Sequence, residues 1–419
     1  MIILRTILGL VFFCVLAWCL SSHRRRFPWR VVIFGLALQV ALAGALLGTS
    51  VGTRFFEGMA RLFAKVASLA DPGARLVFGG LADPSGEWGY VLAFAGTGLV
   101  VILFFSALMS VLYHLGIMQV LIFGVAKVMS TLMGVSGAES MAMAANIFVG
   151  NTEAPLVVRP YIDKMTDSEL NALMTGGFAT IAGSVLAVYL GFLGDELGPH
   201  LLTASVMSAP AAFLIAKIML PETREPVTGG RVKLKIERSA NNLIEAAANG
   251  TSDGLKLYLN VIAMLITFTG LVHLVDWLLA SGGELVNLSQ PLTLARISGW
   301  IFAPFAWFIG VDGWADCQVF GRLLGTKIAV TEFIAFDELR QLMAQEGGPA
   351  FEHLRTSKMA VYALCGFANF AAIGVQLGGI TPLAPSRKSD LSRLALRAMI
   401  GGAFASWMTA TIAGAFLTD

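Results

Sequence analysis

Residues 147–160 read IFVGNTEAPLVVRP, and the fold turns on this stretch. Glu153 is the only charge between Met141 and Val158, and Pro155 follows two positions later. A carboxylate at the centre of a bilayer costs about 2.5–3.5 kcal/mol even on the most lenient insertion scales. Proline removes a backbone donor and breaks a helix. A plain membrane span should contain neither. A re-entrant hairpin accommodates both, because irregular backbone at membrane depth survives where protein or a water-filled cavity satisfies it. Ser136 and Glu139 have capping-box spacing at the start of the first arm. Gly150, Asn151 and Thr152 break the helix at the tip. Pro155 suits the first turn of the returning arm, where no N–H partner is needed.

Composition places this hairpin in a membrane. Of 419 residues, 56% are apolar and 13% charged, the latter about half the usual share. Mean hydropathy is +0.75. Charge-free runs at 31–50, 88–113 and 398–418 reach the roughly 20 residues that cross a bilayer. The expected fold class is an all-α polytopic membrane protein. Eight transmembrane helices are predicted at 3–20, 31–50, 88–114, 172–194, 201–220, 257–280, 357–383 and 394–417. At the N-terminus, MIILRTILGLVFFCVLAWCL precedes its positive cluster HRRR (23–26) and has no small-residue cleavage site. It reads as a first span, not a signal peptide. Basic residues collect at 24–30, 217–238 and 387–397. Placing these loops inside leaves both termini outside, in the periplasm if the cell is bacterial and the membrane its inner one. A net charge of +2 points to no nucleic-acid partner. The four cysteines and five histidines show no metal-ligand spacing. Two segments have interfacial periodicity: 53–66, with Phe55, Phe56, Met59, Leu62, Phe63 and Val66 on one face, and 237–250 on the inner side.

The chain also repeats itself. LMGVSGAES (132–140) matches FIGVDGWAD (308–316), and about twenty residues on each copy reaches an acid, Glu153 or Glu332. GFATIAG (177–183) then matches GFANFAA (366–372), pairing Thr180 with Asn369. Three spans separate the copies, so the second hairpin enters from the opposite side: an inverted repeat. Asp312 is the expected helix cap of the second hairpin, as Ser136 is of the first. The implied division is 1–87 (two helices and the external amphipathic helix, as scaffold), 88–220 (first repeat), 221–256 (cytoplasmic loop and interfacial helix) and 257–419 (second repeat). Acids from opposed hairpins should meet in one midplane cavity suited to a polar substrate. Two other classes are less well supported. An ion-channel filter fits poorly with tips of differing sequence and bulky acids. An intramembrane enzyme would need a Ser–Lys, His-Glu-x-x-His or paired-Asp motif, and none is present, so no catalytic residue is expected.

Over residues 90–415 the chain resembles the concentrative nucleoside transporter family. The likeness rests on FFSALMSVLYHLGIMQ (104–119), NIFVGNTEAPLVVRPY (146–161), SANNLIEAAANGTSDGLKLYLNV (239–261), LLGTKIAVTEFIAF (323–336) and YALCGFANFAAIGVQLGG (362–379). The resemblance implies cation-coupled symport of nucleosides by alternating access, two unwound helices and a homotrimer. It implies substrate contacts at Asn151, Thr152, Glu153, Val185 and Phe367, and ribose contacts at Glu332 and Asn369. It implies a sodium site at Asn146, Val149, Thr180 and Ile181. Some relatives use protons and tend to lose the Asn, so Asn146 with Thr180 favours sodium. Asn151 replaces the family's usual Gln, Thr331 an Asn and Ala372 a Ser. These departures leave the nucleoside open, including pseudouridine-like substrates.

Overall fold

The computed structural model describes residues 2–82, 98–229, 240–285, 291–344 and 351–417. All regular elements among them are helical. Helices α1 (Ile2–Cys19) and α2 (Trp29–Leu46) are long and apolar enough to cross a membrane. Their outward residues are as apolar as their buried ones: Ile3 and Leu4 are 72% and 74% exposed. In water such a surface invites association; against acyl chains it is the ordinary outer face. Helix α3 (Ser50–Ser68) realises the amphipathic segment. The Thr49 hydroxyl accepts a bond from the Gly52 N–H, and the small residues Gly52, Ala60 and Ala67 form its buried edge. A short α4 (Asp71–Phe78) follows. The predicted third span begins outside the described residues and emerges as α5 (Val101–His114).

The two repeats share one plan. Helix α6 (Ile117–Met133) turns 77° from α5 and ends on left-handed Gly134, φ 70°. The Ser136 hydroxyl then accepts from the Glu139 N–H, and the Glu139 carboxylate accepts from the Ser136 N–H. This capping box starts α7 (Gly137–Asn146). The chain unwinds at 147–153 and returns as two single turns, α8 (Ala154–Val157) and α9 (Arg159–Ile162), each with a proline in its first turn. In the second copy, α13 (Leu294–Ile309) ends on left-handed Gly310, φ 110°. Helix α14 (Trp314–Ala329) leaves at 111° to it. Val330 and Thr331 then break the hairpin before α15 (Glu332–Ala344). Gly134 and Gly310 occupy the same place in the two aligned motifs.

Each hairpin precedes a broken helix. Helix α10 (Asp167–Ala179) stops at Thr180, and α11 (Gly183–Met219) resumes after Ala182. Helix α16 (Leu354–Leu364) gives way to extended backbone before α17 (Phe370–Ile380). The breaks cross backbone on backbone at Gly366, φ 99°. A β-carbon there would lie 2.6 Å from the Phe178 carbonyl oxygen and 2.7 Å from the Ala179 carbonyl, so glycine serves both the conformation and the approach. The spans at 172–194 and 201–220 are joined without a loop, because α11 is helical throughout. It nevertheless folds back. The Gly183 N–H donates to the Phe148 carbonyl and the Ser205 hydroxyl to the neighbouring Ile147 carbonyl. On a straight helix those two donors would be about 33 Å apart. Helix α18 (Lys388–Gly414), buried over most of its length, is the central post against which α1, α10, α11 and α16 pack.

Three features differ from the sequence reading. The inner interfacial helix at 237–250 is not separate: from Leu243 one helix, α12 (Leu243–Leu285), runs on through the span, while 237–239 lie outside the described residues. Gly250 and Gly254 admit the close approach of α5. A β-carbon on Gly250 would meet the Ser106 carbonyl oxygen at 2.5 Å. Asp312 does not cap the second hairpin; Gly313 holds that position without a side-chain bond. Arg5 and Arg355 hold Asp312 at 2.7 and 2.6 Å, since two guanidinium forks outcompete a local cap. Finally, α6 and α13 fill segments that the span assignment left empty.

Candidate substrate and cation site

The seven sequence-predicted substrate residues, Asn151, Thr152, Glu153, Val185, Glu332, Phe367 and Asn369, line one cavity. The first hairpin tip supplies three of them, α11 one, the second tip one, and the α16–α17 break the last two. Opposite lie apolar side chains of α12, including Leu257, Val261 and Met264, with Ile102 of α5. The lining is mostly hydrophobic with a few convergent polar groups, as small-molecule sites usually are.

Glu332 is fixed by its surroundings. Only 5% of it is exposed. The Tyr189 hydroxyl donates to one carboxylate oxygen at 2.8 Å and the Asn369 amide to the other at 2.7 Å. Asn369 is itself oriented: its side-chain oxygen accepts from the Ala372 N–H at 2.7 Å and so caps α17. With the oxygen committed to that bond, the NH2 must face Glu332. The break in the second broken helix therefore aims the amide that holds the acid. Ala372, where the family has a Ser, contributes the capping N–H. Glu153 is different: it is exposed, faces the cavity and follows directly on the unwound tip. Gly150 leaves it room, since a β-carbon there would sit 2.1 Å from its carboxylate oxygen.

The four residues expected for sodium, Asn146, Val149, Thr180 and Ile181, are all buried. Asn146 ends α7, Val149 lies in the tip, and Thr180 and Ile181 lie in the first helix break. The Gly183 N–H bond to the Phe148 carbonyl at 3.2 Å ties tip to break. The Thr180 hydroxyl donates to the Gly176 carbonyl at 2.9 Å, leaving its oxygen lone pairs for an incoming ligand. Asn146 is the informative member. It is 1% exposed, yet among the described residues neither its amide oxygen nor its nitrogen has a hydrogen-bond partner. Such an orphaned group costs about 1–3 kcal/mol, and each such case calls for a missing partner. The donor set is neutral oxygen, suited to a hard cation.

The sequence reading missed Tyr189, one helical turn beyond Val185 on α11 and fully buried. The i, i+4 spacing from Val185 was the available signal. It also missed Lys327, fully buried on α14. Its ammonium donates to the carbonyls of Ala363 and Cys365 and to the Ser406 hydroxyl.

Comparison with known proteins agrees with this geometry. Residues 200–414 match the model described as Na+ dependent nucleoside transporter C-terminus, 8–81 the corresponding N-terminus, and 95–196 one described as nucleoside recognition. An uncharacterized transporter of Haemophilus influenzae is 44% identical, over 100% of this chain and 98% of that protein. Solute carrier family 28 member 3 of Mus musculus is 42% identical over 97% of this chain; the chain spans 58% of that longer protein. The solved structure of CNTnw in an inward-facing substrate-bound state is 38% identical, with a TM-score of 0.91 over 99% of this chain and 98% of that one. A variant of CNTnw in an outward-facing state superposes with a TM-score of 0.90 at 37% identity. With these matches covering the chain from end to end, it belongs to the Na+ dependent nucleoside transporter family.

Proposed function

We propose that the protein carries nucleosides across the membrane together with Na+, by alternating access. The observation that carries this reading is the meeting of Glu332, held by Tyr189 and Asn369, with Glu153 from the other hairpin in one cavity. A ribose offers vicinal hydroxyl donors, and a carboxylate beside an amide is complementary to them. Glu332 and Asn369 take the ribose. Asn151, Thr152 and Glu153 take the polar edge of the base, and Val185 and Phe367 its apolar faces. Na+ is cargo, bound by the side chains of Asn146 and Thr180 and the carbonyls of Val149 and Ile181. Its binding satisfies the Asn146 amide oxygen and orders the tip that carries Asn151 to Glu153, so substrate affinity rises when the ion is present. The reciprocal effect follows from linkage.

The hairpins and broken helices move as a unit against a scaffold that includes α5 and α12. The chain works as a homotrimer in the inner membrane, with both termini in the periplasm. Its division into 1–87, 88–220, 221–256 and 257–419 follows the two repeats. The test is purified protein in liposomes, given labelled nucleosides, free bases and pseudouridine under separate Na+ and H+ gradients. The expected result is saturable, Na+-driven uptake of unaltered nucleoside, with countertransport. Non-saturable flux, or chemically altered nucleoside, would contradict it.

A further inference from the structure

We propose that Lys327 is a positioning residue for the sugar: by gripping the carbonyl end of α16 it fixes the break that presents Phe367 and Asn369, and through Asn369 it sets the orientation of Glu332. The inference rests on the reading in which Glu332 and Asn369 take the ribose.

A helix leaves its last four carbonyls without partners of its own. Helix α16 stops at Leu364, and Ala363, Leu364 and Cys365 are fully buried. Water is not at hand there, so the stranded oxygens need protein donors. Lys327, itself fully buried on the second hairpin, supplies them. Its ammonium lies 2.9 Å from the Ala363 carbonyl and 3.1 Å from the Cys365 carbonyl. The third bond, 3.1 Å long, goes to the Ser406 hydroxyl of α18, whose own proton is committed to the Ala403 carbonyl. An ammonium has three N–H donors, and here they tie hairpin, broken helix and central post at one point. The carbonyl end of a half-helix is also the negative end of its dipole, where a cation is favoured.

Phe367 and Asn369 follow Cys365 by two and four positions. The Asn369 N–H donates to the Phe367 carbonyl at 2.9 Å, and its side chain caps α17 and holds Glu332. Lys327 thus pins the near side of the break, and Asn369 the far side. The placement of the charge fits this role. Lys217, also buried, lies 2.6 Å from the Glu139 carboxylate. The three bonds of Lys327 instead go to neutral oxygens, although Glu332 stands five positions away on the same hairpin. A direct ion pair would occupy lone pairs of that acid. The two charges act on each other electrostatically, while the Glu332 oxygens stay with Tyr189, Asn369 and the incoming hydroxyls.

The test compares a ribonucleoside with its 2′,3′-dideoxy counterpart in liposomes under a fixed Na+ gradient. Wild-type protein should prefer the ribonucleoside. Equal KM values for the two would overturn the ribose reading itself, which separates that failure from failure of the inference. Lys327→Met keeps the length and removes the charge and the donors. Its KM for the ribonucleoside should rise by about tenfold, the cost of one misplaced bond to a charged group. The dideoxynucleoside KM and the Na+ concentration for half-maximal uptake should not move. In a Glu332→Gln background, Lys327→Met should cost the ribonucleoside nothing further. Ser406→Ala removes one of the three acceptors and should give a smaller shift of the same kind, about twofold to threefold; it decides the matter if Lys327→Met does not fold. Equal losses for both nucleosides, or a wild-type preference left intact, would make Lys327 a packing staple and overturn the inference.

Discussion

At the first hairpin tip the acid Glu153 is exposed and lines the cavity, and the buried Asn146 amide of the same hairpin has no hydrogen-bond partner among the described residues. At the second tip Glu332 is 5% exposed, with both oxygens occupied. On the same hairpin the buried Lys327 donates to three neutral acceptors. One plan has thus been finished in two ways: one half is left short of a partner, and the other is closed upon itself. The difference assigns the work. On the proposed reading, the site already satisfied is a rigid platform for the sugar. A site with an orphaned amide costs free energy until an ion arrives, and can therefore report that arrival to the neighbouring tip.

The largest expected effect breaks the closed half. Glu332→Gln replaces an acceptor oxygen with an NH2 that meets the Tyr189 hydroxyl or the Asn369 amide as a second donor. Bonds to a charged group contribute about 1.5–3 kcal/mol, so nucleoside uptake should fall by about tenfold to a hundredfold, measured as kcat/KM in liposomes. Glu153→Gln should also lower uptake by about tenfold or more. Next comes the open half. Asn146→Ala should raise the Na+ concentration for half-maximal uptake by about tenfold, at the cost of one charge-assisted contact, while the order of preference among nucleosides stays the same. A change in nucleoside preference without a change in Na+ dependence would reverse the roles of the two tips.

Two smaller changes sharpen the contrast. Tyr189→Phe removes one of two donors to Glu332 and leaves the Asn369 bond. It should weaken nucleoside affinity by about threefold to tenfold, less than Glu332→Gln, with the Na+ curve unmoved. Gly176→Ala puts a β-carbon 2.6 Å from the Met143 sulfur and 3.0 Å from the Asn146 amide nitrogen. Overpacking of this kind costs about 1–3 kcal/mol. It should lower thermal stability in detergent and raise the Na+ requirement severalfold, with little change in nucleoside selectivity.

Much of this architecture was legible because a membrane makes each polar residue conspicuous. Glu153 and Glu332 stand out in apolar runs, the Ser136 capping box is local, and Gly134 and Gly310 mark the repeat. What escaped had no local signature. Helix α6 buries Met118, Ile122, Ala126 and Met129 on one face yet exposes Val120, Leu121 and Val128 on the other. Lipid accepts the outer face, so no polar stripe marks the helix. Helix α13 likewise exposes Trp300 and Ile301. Asp312 finds Arg5 from the far end of the chain, and the partners of Lys327 come from α18 and the end of α16. Sequence names such residues but not their partners.

The most direct measurement is an experimental structure of the protein loaded with nucleoside and Na+. The account predicts nucleoside density between the two tips, with sugar hydroxyls on Glu332 and Na+ within bonding distance of the Asn146 oxygen. Nucleoside bound away from both acids, or an Asn146 amide still without a partner in the loaded state, would contradict it.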